Sequence, residues 1–244
     1  IWKDISDIPV EKQASKSISS NSKDKIYEDI SQKNQIFNEE IETVNFSNIE
    51  IDKPVKISNW PEQYAISTNN ISNFYYNGNK ILIKKTKLTS RLSSKNSFNK
   101  KIIFYKNNLI THDHKGTVFI FSLKLNKKIF EYNFYKKNFK KFNKEVSFIV
   151  NDNVLYAADN LGYIYAFNLD NYSMIWAKNY GIPFRSNLKF AENQIFLANQ
   201  DNVIYSINAN TGEKKWQFAT SLTELKSDFE NSFVLKIINN NLFF

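Results

Sequence analysis

The chain has 244 residues, 33 basic against 24 acidic, two histidines and no cysteine, which excludes disulfides, thiolate metal sites, iron–sulfur ligation and cysteine nucleophiles together. Hydrophobic residues make up 42% and aromatics 16%, enough for a packed core and too much for a chain disordered throughout. The +9 net charge carries little about partners, because only Arg91 and Arg185 are arginines and a face built to grip phosphate usually recruits arginine too. The 35 asparagines, with abundant Lys, Ile, Phe and Tyr, point to A/T-rich codons as one source of the lysines. No apolar run approaches the roughly 20 residues of a membrane helix. The first residue is Ile1 rather than Met, so the expectation is a trimmed form whose targeting segment would lie upstream.

In chain order, residues 1–58 hold 8 basic and 11 acidic groups, and Ser15 to Lys25 has Ile18 as its sole large apolar side chain. Such a stretch buries too little to offset ordering its backbone, and it reads as a flexible polar tether. A weak helical spacing of Ile26, Ile30, Phe37, Ile41 and Val44 allows a marginal helix within it. Asn59-Trp60-Pro61 follows, then a strand-like run from Tyr75 to Leu88. Residues 59–144 carry 18 basic against 3 acidic groups, whereas 145–244 carry 7 against 10, so the basic excess sits in the middle.

From about residue 100 the chain reads as short strands rich in Ile, Val, Phe and Tyr, separated by Asn, Asp and Gly. Laid under itself, this part repeats: Asn108 to Tyr132 aligns with Val154 to Lys178, and that with Gln194 to Phe218. Gly116, Gly162 and Asn202 form one column; Phe130, Trp176 and Trp216 form another with the same offsets. A fourth copy begins at Asn241-Leu242-Phe243-Phe244. A period of about 40 to 48 residues with about four strands is that of a propeller blade. The expected architecture is an all-β partial propeller over 59–244, with repeats at about 101–144, 145–186 and 187–232 and the start of a fourth at 233–244. In each repeat Asp113 or Asp159 caps a turn with its side chain, and Gly116 or Gly162 supplies positive φ. Asn202 replaces the glycine in the third copy. The strands that follow, Val118 to Phe121, Ile164 to Phe167 and Ile204 to Ile207, are apolar almost throughout, as expected when both faces are covered.

Ser206-Ile207-Asn208, Thr211-Gly212 and Trp216 resemble the pyrroloquinoline-quinone-type (PQQ-like) propeller repeat. Ala166-Phe167-Asn168 and Trp176 keep both ends of that pattern, and the first copy keeps Phe130 at the Trp position. With Trp60-Pro61 and a polar segment ahead of it, residues 59–244 are similar to the BamB family of outer-membrane protein assembly factors. The resemblance implies a non-enzymatic periplasmic scaffold at the inner face of the outer membrane. It implies the barrel-insertase machinery as protein partner, assistance to β-barrel assembly, no cofactor, and an N-terminal lipid anchor outside this chain. An eight-bladed ring is the family's form, so three blades and part of a fourth are expected to be a truncated product or fragment, unless copies pair to complete a ring. The rival reading is a fragment of a quinone-dependent dehydrogenase, which would hold quinone and calcium at the ring centre with a carboxylate base. Asp159, Asp170 and Asp201 are acidic residues of the blades, and the repeat places them at turns.

Two clusters need weighing. His112 and His114 share one strand face, as a metal pair would, but they flank a turn and have no third ligand in sequence, so neither a metal nor a catalytic site is expected. Lys136, Lys137, Lys140, Lys141 and Lys144 surround Phe139 and Phe142, a pattern compatible with acidic partners, lipid headgroups or single-stranded nucleic acid. The plainest reading is a solvated loop between the first two blades; contact with an acidic partner or lipid ranks second, and no nucleic acid is expected. Trp176 and Trp216, with Thr211 and Gly212, are expected to be structural, the two indoles packing between adjacent blades.

Overall fold

The computed structural model describes residues 51–71, 73–76, 78, 102–135, 139, 141–220, 234–238 and 241–243. The marginal helix, nearly all of the expected tether and most of the Tyr75 to Leu88 run lie outside these residues. The compact unit runs from Asp52 to Phe244 and so takes in residues 52–58, which the sequence assigns to the tether. Val55 is held there by backbone pairing, accepting from Tyr75 N–H and donating to Asn73 C=O, both at 2.9 Å.

Three antiparallel four-stranded sheets follow one another, each in the order of its strands along the chain. The first has β1 (Ile103–Tyr105), β2 (Asn108–His112), β3 (Thr117–Ser122) and β4 (Lys127–Asn133). The second has β5 (Val146–Asn151), β6 (Val154–Asp159), β7 (Tyr163–Asn168) and β8 (Met174–Asn179). The third has β9 (Lys189–Ala191), β10 (Gln194–Ala198), β11 (Val203–Asn208) and β12 (Lys214–Ala219), and a hairpin of β13 (Lys236–Ile238) with β14 (Asn241–Phe243) comes after it. Consecutive meanders of this kind, with β1 near β5 and β5 near β9, make the architecture a partial β-propeller.

The repeat extends to details of the backbone. Each β1–β2-type hairpin turns through two residues in left-handed conformation, Lys106-Asn107, Asp152-Asn153 and Glu192-Asn193, as a two-residue primed turn requires. Asn is the non-glycine residue that tolerates this best, so part of the asparagine content is a demand of the fold. The next turn is capped in the same way three times. Asp113 Oδ1 accepts from Lys115 and Thr117 N–H, Asp159 Oδ1 from Leu161 and Tyr163 N–H, and Asn199 Oδ1 from Asp201 and Val203 N–H. A β-bulge falls at equivalent places, Ile120/Phe121, Ala166/Phe167 and Ser206/Ile207, bending each outer strand.

The second blade shows why its strands are apolar in succession. On β6, Leu155 and Ala157 join the core shared with the first blade, while Tyr156 and Ala158 join the core shared with the third. On β7, Tyr165 and Phe167 face the first blade and Ile164 and Ala166 the third. Alternate side chains thus enter opposite cores, and neither face is left for polar residues.

Candidate functional site

The segment from Trp60 to Asn69 crosses the first strands of all three blades. Trp60 N–H donates to Phe104 C=O on β1 at 2.6 Å and Phe104 N–H returns to Trp60 C=O at 2.9 Å. Val150 N–H on β5 donates to Pro61 C=O at 2.8 Å, proline being suited to an edge where only its carbonyl is used. Glu62 pairs with Ile149 and sends its carboxylate to the ammonium of Lys189 on β9. Lys189 is fully buried, and it also donates to Ile66 C=O at 3.1 Å and Asn69 Oδ1 at 2.6 Å. All three ammonium protons therefore have acceptors, the condition under which a buried charge is tolerated. Burial pushes the Glu62 carboxyl up, offset in part by Lys189, and pulls the Lys189 ammonium down, offset in part by Glu62.

The carboxylate of this segment, Glu62, is committed to Lys189. Asp159, Asp170 and Asp201 lie at turns, the first with both oxygens engaged, Oδ2 by the Tyr135 hydroxyl. Among the described residues no group of three or more His, Asp or Glu is placed to hold a metal.

Beside Trp60 lies a groove of about 490 Å³, lined by Ile57, Ser58, Asn59, Trp60, Phe74, Tyr75, Ile102 and Phe104. Its rim is apolar and open to solvent: Phe74, Tyr75 and Ile102 are each about half exposed. Contiguous exposed aromatics of this kind mark interaction surfaces. The sequence singled out Trp60 and the strand-like run beginning at Tyr75, but their meeting with Ile57 and Ile102 depends on long-range pairing that has no local signal.

The residues named from sequence fall as follows. His112 is buried, its Nδ1 3.0 Å from Asp113 C=O and its Nε2 accepting from Val146 N–H on the second blade. One ring nitrogen thus joins the first blade to the second and the other stays on its own turn. Lys144, grouped with the surface lysines by sequence, is a correction: it is buried. Its ammonium donates to Phe139 C=O and lies 5.1 Å from the centre of the Tyr135 ring. Burial lowers its pKa while Asp113 and Asp159 oppose that shift. Lys141 is exposed, and Lys136, Lys137 and Lys140 lie outside the described residues.

Gly116 and Gly162 have positive φ, and a Cβ on either would meet the Tyr135 ring or the Ile182 backbone. Asn202 takes the same left-handed conformation. Phe130 stacks on Tyr172 of the second blade, with centroids 5.3 Å apart. Trp176 is buried against the third blade's Asn208–Gly212 turn, where Thr211 lies, and its Nε1–H donates to Ala209 C=O at 2.8 Å. Trp216 differs from the expectation of burial between blades: it is 36% exposed, with Phe196 of its own blade 5.9 Å away. Among the described residues no turn of a following blade covers it.

Comparison with known proteins agrees with this repeat. The family model described as outer membrane protein assembly factor BamB, of PQQ type, matches residues 127–242. Outer membrane protein assembly factor BamB of Legionella pneumophila is 30% identical over 69 residues, covering 28% of this chain and 17% of its own length. Among solved structures, BamB from Moraxella catarrhalis is 15% identical with TM-score 0.42, over 49% of this chain and 34% of its own. Quinohemoprotein alcohol dehydrogenase from Comamonas testosteroni is 12% identical with TM-score 0.53, over 70% of this chain and 29% of its own; at that identity the likeness is one of fold. The chain thus spans about a third or less of the length of these relatives. Its repeats are BamB-like and of the PQQ type.

Proposed function

We propose that this chain acts as a non-enzymatic binding scaffold in the assembly of outer-membrane proteins, similar in role to BamB. The observation that carries the reading is the BamB family match across 127–242. A periplasmic location, an N-terminal lipid anchor and the barrel-insertase machinery as partner come with this reading. The exposed aromatic rim of the groove supplies the contact chemistry, since apolar side chains in a partly formed pocket anchor protein partners. The lysines Lys136, Lys137, Lys140 and Lys141 are, in the same reading, a secondary contact for an acidic partner or lipid headgroups.

The test is binding of the purified chain to the soluble domains of the barrel insertase, with Tyr75→Asp as the rim variant. Saturable binding that Tyr75→Asp weakens at least about tenfold, roughly 1.4 kcal/mol, is the expected result; no saturable binding overturns the reading. Adding the quinone with calcium and following Tm separates the dehydrogenase alternative, because a ligand of the native state must raise Tm. No shift is expected.

A further inference from the structure

We propose that the outer edge of β8, in the second blade, receives an extended peptide segment by strand addition, one with a carboxylate near its N-terminal end and alternating apolar side chains after it. This goes beyond the assembly-factor reading and does not depend on it. The second blade has a neighbour on each side within the chain, and residues 141–220 are described without a break. The surroundings of this edge are therefore those of a complete blade.

The three outer strands differ at one place. Each has its β-bulge at the same point, where the residue paired with Phe121, Phe167 or Ile207 is Lys128, Met174 or Lys214. Lys128 is ion-paired with Glu131 and lies 5.2 Å from the centre of the Phe119 ring. Lys214 donates to Gln217 Oε1 at 2.7 Å and lies 5.8 Å from the centre of the Tyr205 ring. A lysine on an edge strand discourages pairing with another chain; the first and third blades have one there, and the second has a methionine. The next residue is Ile129, Ile175 or Lys215. Ile129 packs against the core shared by the first two blades, whereas Ile175 is 46% and Met174 39% exposed. The second blade thus has an apolar edge where its sisters have a charged one.

The backbone decides what kind of group fits. Tyr180 N–H donates to Gly162 C=O at 2.8 Å. Counting back from that pair along the β7–β8 ladder, Lys178 and Trp176 turn their N–H and C=O toward β7, while Asn179 and Ala177 turn theirs outward. Among the described residues no strand pairs with that outer side, and its donors and acceptors match another extended backbone. Trp176, buried and bonded to Ala209 C=O, holds the strand in place, so little of β8 has to be ordered on binding. Charge sets the rest. Lys178 is the sole charged side chain of β8 and is exposed. A segment that continues the meander runs antiparallel to β8, with its N-terminal end beside Lys178 and its later residues beside Ile175 and Met174. A carboxylate in the first place and apolar side chains in the second are the complementary choice.

The experiment is fluorescence anisotropy of a labelled peptide of about eight residues, a glutamate near its N-terminus followed by alternating valine and threonine, titrated with the full 244-residue chain. Saturable binding with Kd on the order of tens of micromolar is expected. The double variant Met174→Lys with Ile175→Lys copies the third blade, and Ala177→Pro removes an outward N–H but no ladder bond. Each should weaken binding at least about tenfold with an unchanged circular dichroism spectrum. Lys178→Glu should shift the preference to the same peptide with lysine in place of glutamate. Tyr75→Asp, at the groove beside Trp60, should leave binding unchanged, so that failure here and failure of the assembly-factor reading are distinguishable. A further pair of measurements needs only the wild-type chain: of two peptides methylated on opposite sets of alternate amide nitrogens, the one whose methyl groups face β8 should not bind and the other should. No saturable binding, equal behaviour of the two methylated peptides, folded edge variants that bind as the wild type does, an unaltered charge preference, or a loss on Tyr75→Asp would each overturn the proposal.

Discussion

The second and third blades carry the same Trp at the same repeat position, and the two side chains live in different surroundings. Trp176 is buried, hydrogen bonded to Ala209 C=O and pressed against a glycine with no room for a Cβ. Trp216 is 36% exposed and touches Phe196 of its own sheet. Trp176 packs on the turn of the third blade, and among the described residues no such turn lies on Trp216. A repeat motif therefore specifies half of a joint; the energy comes from the other half. In a quasi-repetitive architecture stability belongs to interfaces as much as to units.

The largest break is expected at the strap that holds the third blade from the inside. Lys189→Met leaves the Glu62 carboxylate buried alone, and a loss of about 3–5 kcal/mol is expected in urea unfolding. The double variant with Glu62→Gln should regain part of that loss, because no charge is then stranded; an equal loss in both would mean that the pair contributes only through packing. Next in size is the joint around Trp176. Gly212→Ala and Gly181→Ala both place a side chain at positive φ, which costs about 1–2 kcal/mol, but only at Gly212 does the new Cβ fall within 2.5 Å of an indole. Gly212→Ala should therefore lose a further ~1–3 kcal/mol that Gly181→Ala does not, seen as a larger fall in the urea midpoint.

The smallest effect is expected at Asp159. Asn199 already performs its capping role in the third blade, so Asp159→Asn should cost less than about 1 kcal/mol near neutral pH. Its pH dependence is more telling. Burial holds the Asp159 carboxyl above its ordinary value, with the Tyr135 hydroxyl and three backbone N–H groups pulling it part of the way back. The native state then binds more protons than the unfolded chain between the ordinary value of about 4 and the raised one. Stability from this group is full below that window and is lost as pH rises through it. Asp159→Asn should remove that slope from a plot of unfolding free energy against pH, and an unchanged slope would assign it to another group.

Much of the blade was legible in the sequence because its rules are local. The Asp–Gly turns, the apolar third strands and the column of Phe130, Trp176 and Trp216 all express backbone conformation or face alternation within a dozen residues. The cap at Asn199 was hidden because asparagine stands where the other copies have aspartate, although the 40-residue offset points to it. Lys144 was misread because the sequence groups it with four other lysines in one short run; only the folded joint shows Asp113, Tyr135 and Asp159 gathered around it. The strap was the least legible part. Glu62 and Lys189 are 127 residues apart, and nothing about an isolated Glu or Lys announces that the other will neutralise it.

The most direct test of the half-joint account is to compare urea unfolding of Trp176→Ala and Trp216→Ala. A loss of about 3–5 kcal/mol is expected for Trp176→Ala, as for a large side chain removed from a packed core, and about 1–2 kcal/mol for Trp216→Ala, whose ring is already partly in water. Equal losses from the two substitutions would contradict it.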